Sequence, residues 1–407
     1  MTRNALLVAL VLLVVCFVAS CNKPAPPAGT AAPATGAATT SAPASDATAV
    51  KIGVNAELTG SIPVVGESCK NAATLAVKEV TDAGGLDVGG KKLPVEITIE
   101  DNEDKAESAA AVAQRITSSG ALAMIGPNSS GNAIPAAEVA ESAKMPMISP
   151  WSTNPKLTID TRSNQPKKYV FRAAFTDDFQ GVVAAKFALN QLKSKKPAVL
   201  YDVASEYNKG IAEVYKKTME GAGMKLAAFE TYTKGDKDFS AQLTQIARSG
   251  ADSLFLPNYY SEVPLQVKQA RQLGYKGKIL GSDSWGDEEL VKLAGNACEG
   301  LFFTTHYAAD TATPKAQAFI KAYKAACAKV PNDVAALTYD SFGLLFQAIK
   351  AAGSVDREAV RTALAAITSY EGVTGTMQFK GTGDPIKSAV VIQIKGGKFT
   401  YYQTAKP

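Results

Sequence analysis

From Lys51 to Gly281 the apolar residues switch repeatedly between a two-residue and a 3.6-residue period, and this alternation constrains the fold more than any other feature. Lys51-Ile52-Gly53-Val54 reads as a short buried strand. Cys69, Ala72, Ala73, Ala76, Val77 and Val80 then recur at helical spacing, and Gly84-Gly85 closes that helix. Val95-Glu96-Ile97-Thr98-Ile99 alternates as a strand does. Ala109, Val112, Ala113 and Ile116 mark one face of a helix over 104–118; a strand at Leu122–Gly126, a helix over 134–143 and a strand at Met147–Ser149 follow. The pattern restarts after about residue 173. Strands are expected at Ala198–Tyr201, Leu226–Phe229, Ser253–Leu256 and Ile279–Gly281, with helices near 178–193, 208–222, 238–249, 262–273 and 287–294. Strands joined by crossovers of helical length lie parallel, with helices over both faces. The expected class is therefore α/β, as two Rossmann-like lobes.

The tail breaks the alternation. Helices are expected over 317–329, 334–352 and 357–367, followed by strands at Met377–Phe379 and Val390–Ile394. Gly396-Gly397 then leads into Phe399–Tyr402 as a hairpin partner. Helices followed by strands at the end of an α/β run suggest that the chain recrosses between lobes.

The N-terminus belongs to export rather than to the fold. One basic residue, Arg3, precedes an apolar run from Ala5 to Ala19, shorter than the roughly 20 residues of a membrane span. The run ends Val18-Ala19-Ser20-Cys21, which resembles a bacterial lipobox. Residues 1–21 are thus expected to be a lipoprotein signal with Cys21 lipidated. Residues 22–48 are nearly all Ala, Pro, Thr, Ser and Gly and read as a disordered tether.

Composition removes several function classes. Lys+Arg (43) nearly balance Asp+Glu (38), and the basic residues are scattered, so no nucleic-acid stripe exists. There is one histidine, His306, no Gly-x-Ser-x-Gly elbow and no Cys/His metal spacing, which argues against a hydrolase and predicts neither metal nor cofactor. Cys16 and Cys21 fall in the leader. Of Cys69, Cys298 and Cys327, the pair Cys298–Cys327 is the expected disulfide of an exported chain.

Ordered pieces spread over the mature chain resemble the type I periplasmic binding proteins of the leucine/isoleucine/valine-binding family. They are Ile52-Gly53-Val54 with Leu58-Thr59-Gly60 and Val65-Gly66; Ala83–Leu86; Asp101–Asp104; Ile125-Gly126-Pro127 with Ser129-Ser130; Pro146–Pro150 with Thr153-Asn154-Pro155; and Lys237–Ser240. The resemblance implies lobe 1 at 50–172 plus 308–373 and lobe 2 at 174–306 plus 376–407. A three-strand hinge would cross at 172–174, 306–307 and 372–375.

An α-amino acid needs donors for its carboxylate and an acceptor for its ammonium, both desolvated only when paired. Ser130, past a strand and at a helix start, suits a carboxylate, although a helix N-cap would place a serine there too. The resemblance further implies ligand contacts from Val65, the Trp151 backbone, the Thr153 hydroxyl, Tyr207, Tyr259 and Asp283, with Tyr260 as the alternative to Tyr259. Trp151 stands where a small residue is expected, Asp283 where Glu is frequent, and Val65 where some relatives carry a large aromatic. Together with Trp285 these would reshape the side-chain pocket. The implied function is a monomeric, lipid-anchored extracytoplasmic protein that captures an amino acid, branched-chain or otherwise apolar, for an ABC transporter permease. The rivals are a ligand-sensing receptor subunit and a binder of another small molecule.

Overall fold

A computed structural model describes residues 47–407; the leader, Cys21 and the tether up to residue 46 lie outside the described residues. The first sheet contains β1 (Val50–Ala56), β2 (Val95–Asp101), β3 (Ala123–Ile125), β4 (Met147–Ser149) and β5 (Val170–Arg172), in the order β2-β1-β3-β4-β5. Every pairing is parallel, with Ile52 between Ile97 and Ala123. Three crossover helices build it: α1 (Pro63–Asp82), α2 (Ala106–Ser118) and α3 (Ser130–Ser142). Gly66 lets the start of α1 approach the exit of β1, since a Cβ there would lie 2.1 Å from the Glu57 carbonyl oxygen.

The second sheet contains β6 (Pro197–Asp202), β7 (Ala228–Tyr232), β8 (Ser253–Leu256), β9 (Lys278–Gly281), β10 (Phe302–Thr305), β11 (Ala389–Lys395) and β12 (Lys398–Ala405). Its order is β7-β6-β8-β9-β10-β11-β12, parallel as far as β10 and antiparallel beyond. The helices of this lobe are α4 (Asp177–Asn190), α5 (Glu206–Gly221), α6 (Ser240–Arg248), α7 (Val263–Gln272) and α8 (Glu289–Ala294).

Between β10 and β11 the chain returns to the first lobe. Helices α9 (Pro314–Cys327), α10 (Asp333–Ala352) and α11 (Arg357–Ala365) follow one another, and Ala316, Phe319, Tyr323, Ala335 and Ala336 pack on Ala72 and Leu75 of α1. A hairpin, Ser369–Gly372 with Gly375–Phe379, precedes the last crossing. The two glycines of that turn serve different ends. Gly375 takes a left-handed φ of 95°, whereas Gly372 is a close approach, its missing Cβ leaving room for the Asp340 carboxylate.

Three crossings therefore link the lobes: after β5, after β10 and after the hairpin. Buried polar groups lace them together. Lys387 Nζ donates to the Ala173 carbonyl (3.3 Å) and to Thr374 Oγ1 (2.6 Å), joining the first crossing to the third. Asp340 of α10 accepts from the N–H groups of Val373 and Thr374 and from the Thr374 hydroxyl. Burial pushes the Lys387 ammonium down to about 8, and the Asp340 charge works against that shift.

Two expectations fail. Cys298 and Cys327 are free thiols. Cys298 sits in a turn that packs with the second lobe's core, its Sγ donating to the Gly295 carbonyl, whereas Cys327 ends α9 against the α1 cluster. Trp285 is also absent from the cleft: it is fully buried under β9, where its ring fills the space that a side chain at Gly281 would take.

Candidate functional site

The open ends of both sheets face each other, and the loops after their strands form the walls between them, as open α/β sheets dictate. On the first wall, the loop from β3 into α3 carries Asn128, Ser129 and Ser130. Its shape is fixed by Glu57, a wholly buried carboxylate at the exit of β1. Glu57 Oε1 accepts from the N–H groups of Asn128 and Ser129, both at 3.1 Å, and from Asn132 Nδ2. Glu57 Oε2 accepts from Asn128 Nδ2 at 2.8 Å. Burial raises the Glu57 pKa, and these donors restrain the rise.

Ser130 Oγ accepts from Ser152 Oγ (3.0 Å) and, more weakly, from the Asn154 N–H (3.4 Å). With its lone pairs engaged, its own O–H is left to donate. The N–H groups of Ser130 and Gly131 at the start of α3 have no acceptor among the described residues and carry the positive end of the helix dipole. This corner suits an anion.

The adjacent loop after β4 carries Trp151 and Thr153. Arg172, fully buried at the end of β5, holds it in place by donating to the carbonyls of Ser152 (2.8 Å) and Asn154 (2.9 Å), to Thr158 Oγ1 and to Asp384. Trp151 Nε1 donates to Asp333 Oδ2 at 3.1 Å, which locks the indole against the start of α10. Burial, and then the charge of Asp283, push the Asp333 carboxyl up to about 7.

The second wall centres on Asp283. Its Oδ1 accepts from the Tyr207 hydroxyl and from Gln180 Nε2 at 3.0 Å; its Oδ2 lies 3.0 Å from His306 Nε2. Burial lowers the His306 pKa to about 4, so the ring is neutral. A carboxylate only accepts, so we assign the Nε2–H tautomer. Phe175 stacks on the ring at 3.8 Å. Tyr259 packs between Tyr207 (5.5 Å between centroids) and Trp151 (6.1 Å), bridging the walls with aromatic surface.

Asn128, Ser129, Ser130, Trp151, Tyr207, Tyr259 and Asp283 line one small cavity in the cleft. Five of the seven candidate residues thus meet at one hollow. Thr153 and Val65 do not line it. Thr153 is buried behind, with its hydroxyl turned toward Asp177 but outside hydrogen-bond geometry. Val65 packs into the core face of α1. Tyr260 does not line it either: its hydroxyl accepts from the Val64 N–H across the cleft at 3.2 Å.

Sequence reasoning missed Glu57, Gln180, His306 and Asp177. Asp177, the first residue of α4, is buried with both carboxylate oxygens unpaired among the described residues. Burial raises its pKa well above the ordinary value, and the nearby Asp283 charge adds to the rise. Asp283, His306 and Asp333 also bring one ligand-type atom each within 4.8 Å of one another. Each is already engaged with protein donors or a carboxylate, and the trio reads as a hydrogen-bonded network.

Other contacts close the cleft. Lys234 pairs with Asp104 (2.6 Å), Lys156 with Glu206 (2.7 Å), and Asn332 Nδ2 donates to Asp287 (2.8 Å), each across the lobes.

A family model described as "Periplasmic binding protein" matches residues 49–398. The chain belongs to that family. Its members are substrate-binding proteins, and the family implies an extracytoplasmic location. Among curated relatives, this periplasmic binding protein is 33% identical to the leucine-, isoleucine-, valine-, threonine- and alanine-binding protein of Pseudomonas aeruginosa, over 88% of this chain and 90% of that one. Among solved structures, leucine-binding protein LivK of Thermotoga maritima superposes with a TM-score of 0.82 at 34% identity, over 88% of this chain and 99% of the other. The branched-chain amino acid transporter substrate-binding protein LivJ of Streptococcus pneumoniae, solved with isoleucine, gives 0.81 at 33%, over 88% and 100%. These neighbours carry the same type I fold of two parallel-sheet lobes.

Proposed function

We propose that the protein captures an amino acid between its lobes and delivers it to the permease of an ABC importer, without catalysing a reaction. One observation carries this reading. A single cavity has an anion-binding corner at Ser130 on one wall and the Asp283 carboxylate on the other. These are the two ends of a zwitterion, offered by different lobes, so the ligand favours closure through contacts that only the closed form completes. Tyr207 and Gln180 orient Asp283, and Tyr259 with Trp151 covers the ligand's apolar atoms. The relatives' names and the isoleucine in LivJ support the amino acid class.

In this reading residues 50–172 with 308–373 form one lobe, and 174–306 with 376–407 the other. The protein works as a monomer, tethered through a lipid on Cys21. Titration calorimetry of the full chain in detergent against the twenty amino acids tests the reading. At least one should bind with a Kd of roughly micromolar or tighter, which corresponds to about 8 kcal/mol; no binding by any would reject it. Cys21→Ser should move the protein from the membrane to the soluble fraction; continued membrane association would remove the lipid anchor.

A further inference from the structure

Asn128 carries a buried polar group for which the described residues supply no partner. Its side-chain amide has a determined orientation. Glu57 receives four hydrogen bonds, two from backbone N–H groups, one from Asn132 and one from Asn128 Nδ2. A carboxylate so surrounded is an acceptor, so the NH₂ end of Asn128 must face it. The Oδ1 end is left over. It is buried and has no hydrogen-bond partner among the described residues.

Asn128 also lines the ligand cavity. A buried acceptor without a donor costs about as much as a lost hydrogen bond, so the residue's place on this wall calls for a donor from the occupant. The occupant's ammonium belongs at Asp283 on the opposite wall. Its carboxylate cannot satisfy Asn128, because two acceptors repel. That leaves the ligand's side chain, or an ammonium N–H that Asp283 does not take, to meet Asn128. The rest of the lining favours the side chain, because beside Asn128 it consists of two serines, three aromatic residues and Asp283, with no aliphatic side chain. A branched hydrocarbon would find aromatic faces here but would itself offer Oδ1 no donor.

We infer that Asn128 is a specificity-determining residue that selects amino acids whose side chain donates a hydrogen bond, a hydroxyl or a carboxamide, over aliphatic side chains of the same shape. This rests on the amino acid reading above and narrows its ligand. A site built around a buried hydrogen bond rejects the isostere that lacks it far more strongly than an apolar pocket rejects an added hydroxyl.

Near-isosteric pairs test it: threonine against valine, and asparagine against leucine, each titrated calorimetrically into the full chain in detergent. In at least one pair the donor-bearing member should bind tenfold or more tightly. Asn128→Leu should reduce that ratio at least tenfold, by weakening the polar member and sparing or strengthening the aliphatic one. Valine and leucine binding as tightly as their partners in the unmodified protein would overturn the inference while leaving an amino acid site standing. No binding by any of the twenty amino acids would sink both. The comparison within the unmodified protein carries the test even where Asn128→Leu fails to fold for want of the Glu57 contact.

Discussion

Asp283 holds three protein donors, from Tyr207, Gln180 and His306, and still has lone-pair capacity for an ammonium. Replacing it removes the charge that a buried cation needs. Asp283→Ala should weaken ligand binding by more than tenfold in calorimetry, and Gln180→Leu, which only loosens its orientation, by less. Unchanged affinity in Asp283→Ala would reject the ammonium assignment. Asp333 makes a separate prediction about pH. Its carboxyl is raised from 3.8 to about 7, chiefly by burial. A carboxyl whose folded pKa exceeds its unfolded value favours the folded state at low pH, and that advantage is lost as pH rises from about 4 through 7. The melting temperature of the ligand-free protein should therefore fall across that window by more than that of Asp333→Asn. Parallel curves for the two proteins would show that Asp333 does not contribute. Such residues were the least legible in the sequence. Ser130, Tyr207, Tyr259 and Asp283 follow strands and could be placed by position, but Gln180 meets Asp283 across 103 residues, and Glu57 meets Ser129 across 72. No local pattern announces a buried polar group whose partner comes from another crossover.

At the level of elements, apolar period located most of the sheets and helices to within a few residues. The exceptions have physical causes. Helix α3 begins at Ser130, four residues before the expected start, because Ser-Gly-Asn has poor helix propensity and the first turn is held instead by the strand exit and Glu57. Strands β5 and β10 were not anticipated. They are short, at 3 and 4 residues, and each lies at a crossing where no full alternation fits. β5 matters most, since it ends in Arg172. That guanidinium is fully buried and holds the carbonyls on either side of Thr153. Arg172→Met should lose about 3 kcal/mol in urea unfolding, because the carbonyls and Asp384 keep their desolvation and lose their donors. It should also loosen the Trp151–Asn154 loop and weaken ligand binding. A variant as stable as the parent would show that the guanidinium only fills space.

For the whole molecule, the proposed capture depends on a closed form that is favoured but not permanent. The contacts that cross the cleft away from the cavity set this balance. Lys234–Asp104 and Lys156–Glu206 join opposite lobes; both lysine side chains and Glu206 are about half exposed, whereas Asp104 is nearly buried. Exposed pairs contribute on the order of 0–1 kcal/mol each and are screened by salt. Neither touches the cavity, so they act on the ligand only through the open–closed equilibrium, and apparent affinity scales with the closed fraction. Lys156→Ala with Lys234→Ala should weaken ligand binding by roughly three- to tenfold. The loss should appear mainly in the dissociation rate, because the pairs form after the ligand has met the first wall. The parent's affinity should decline with added salt more steeply than that of the double variant, and the melting temperatures of the two ligand-free proteins should stay close. An equal loss of ligand-free stability would mean that these lysines hold a static structure rather than bias a moving one. Equal salt dependence would show that closure relies on the partly buried Val64–Tyr260 and Asn332–Asp287 contacts instead.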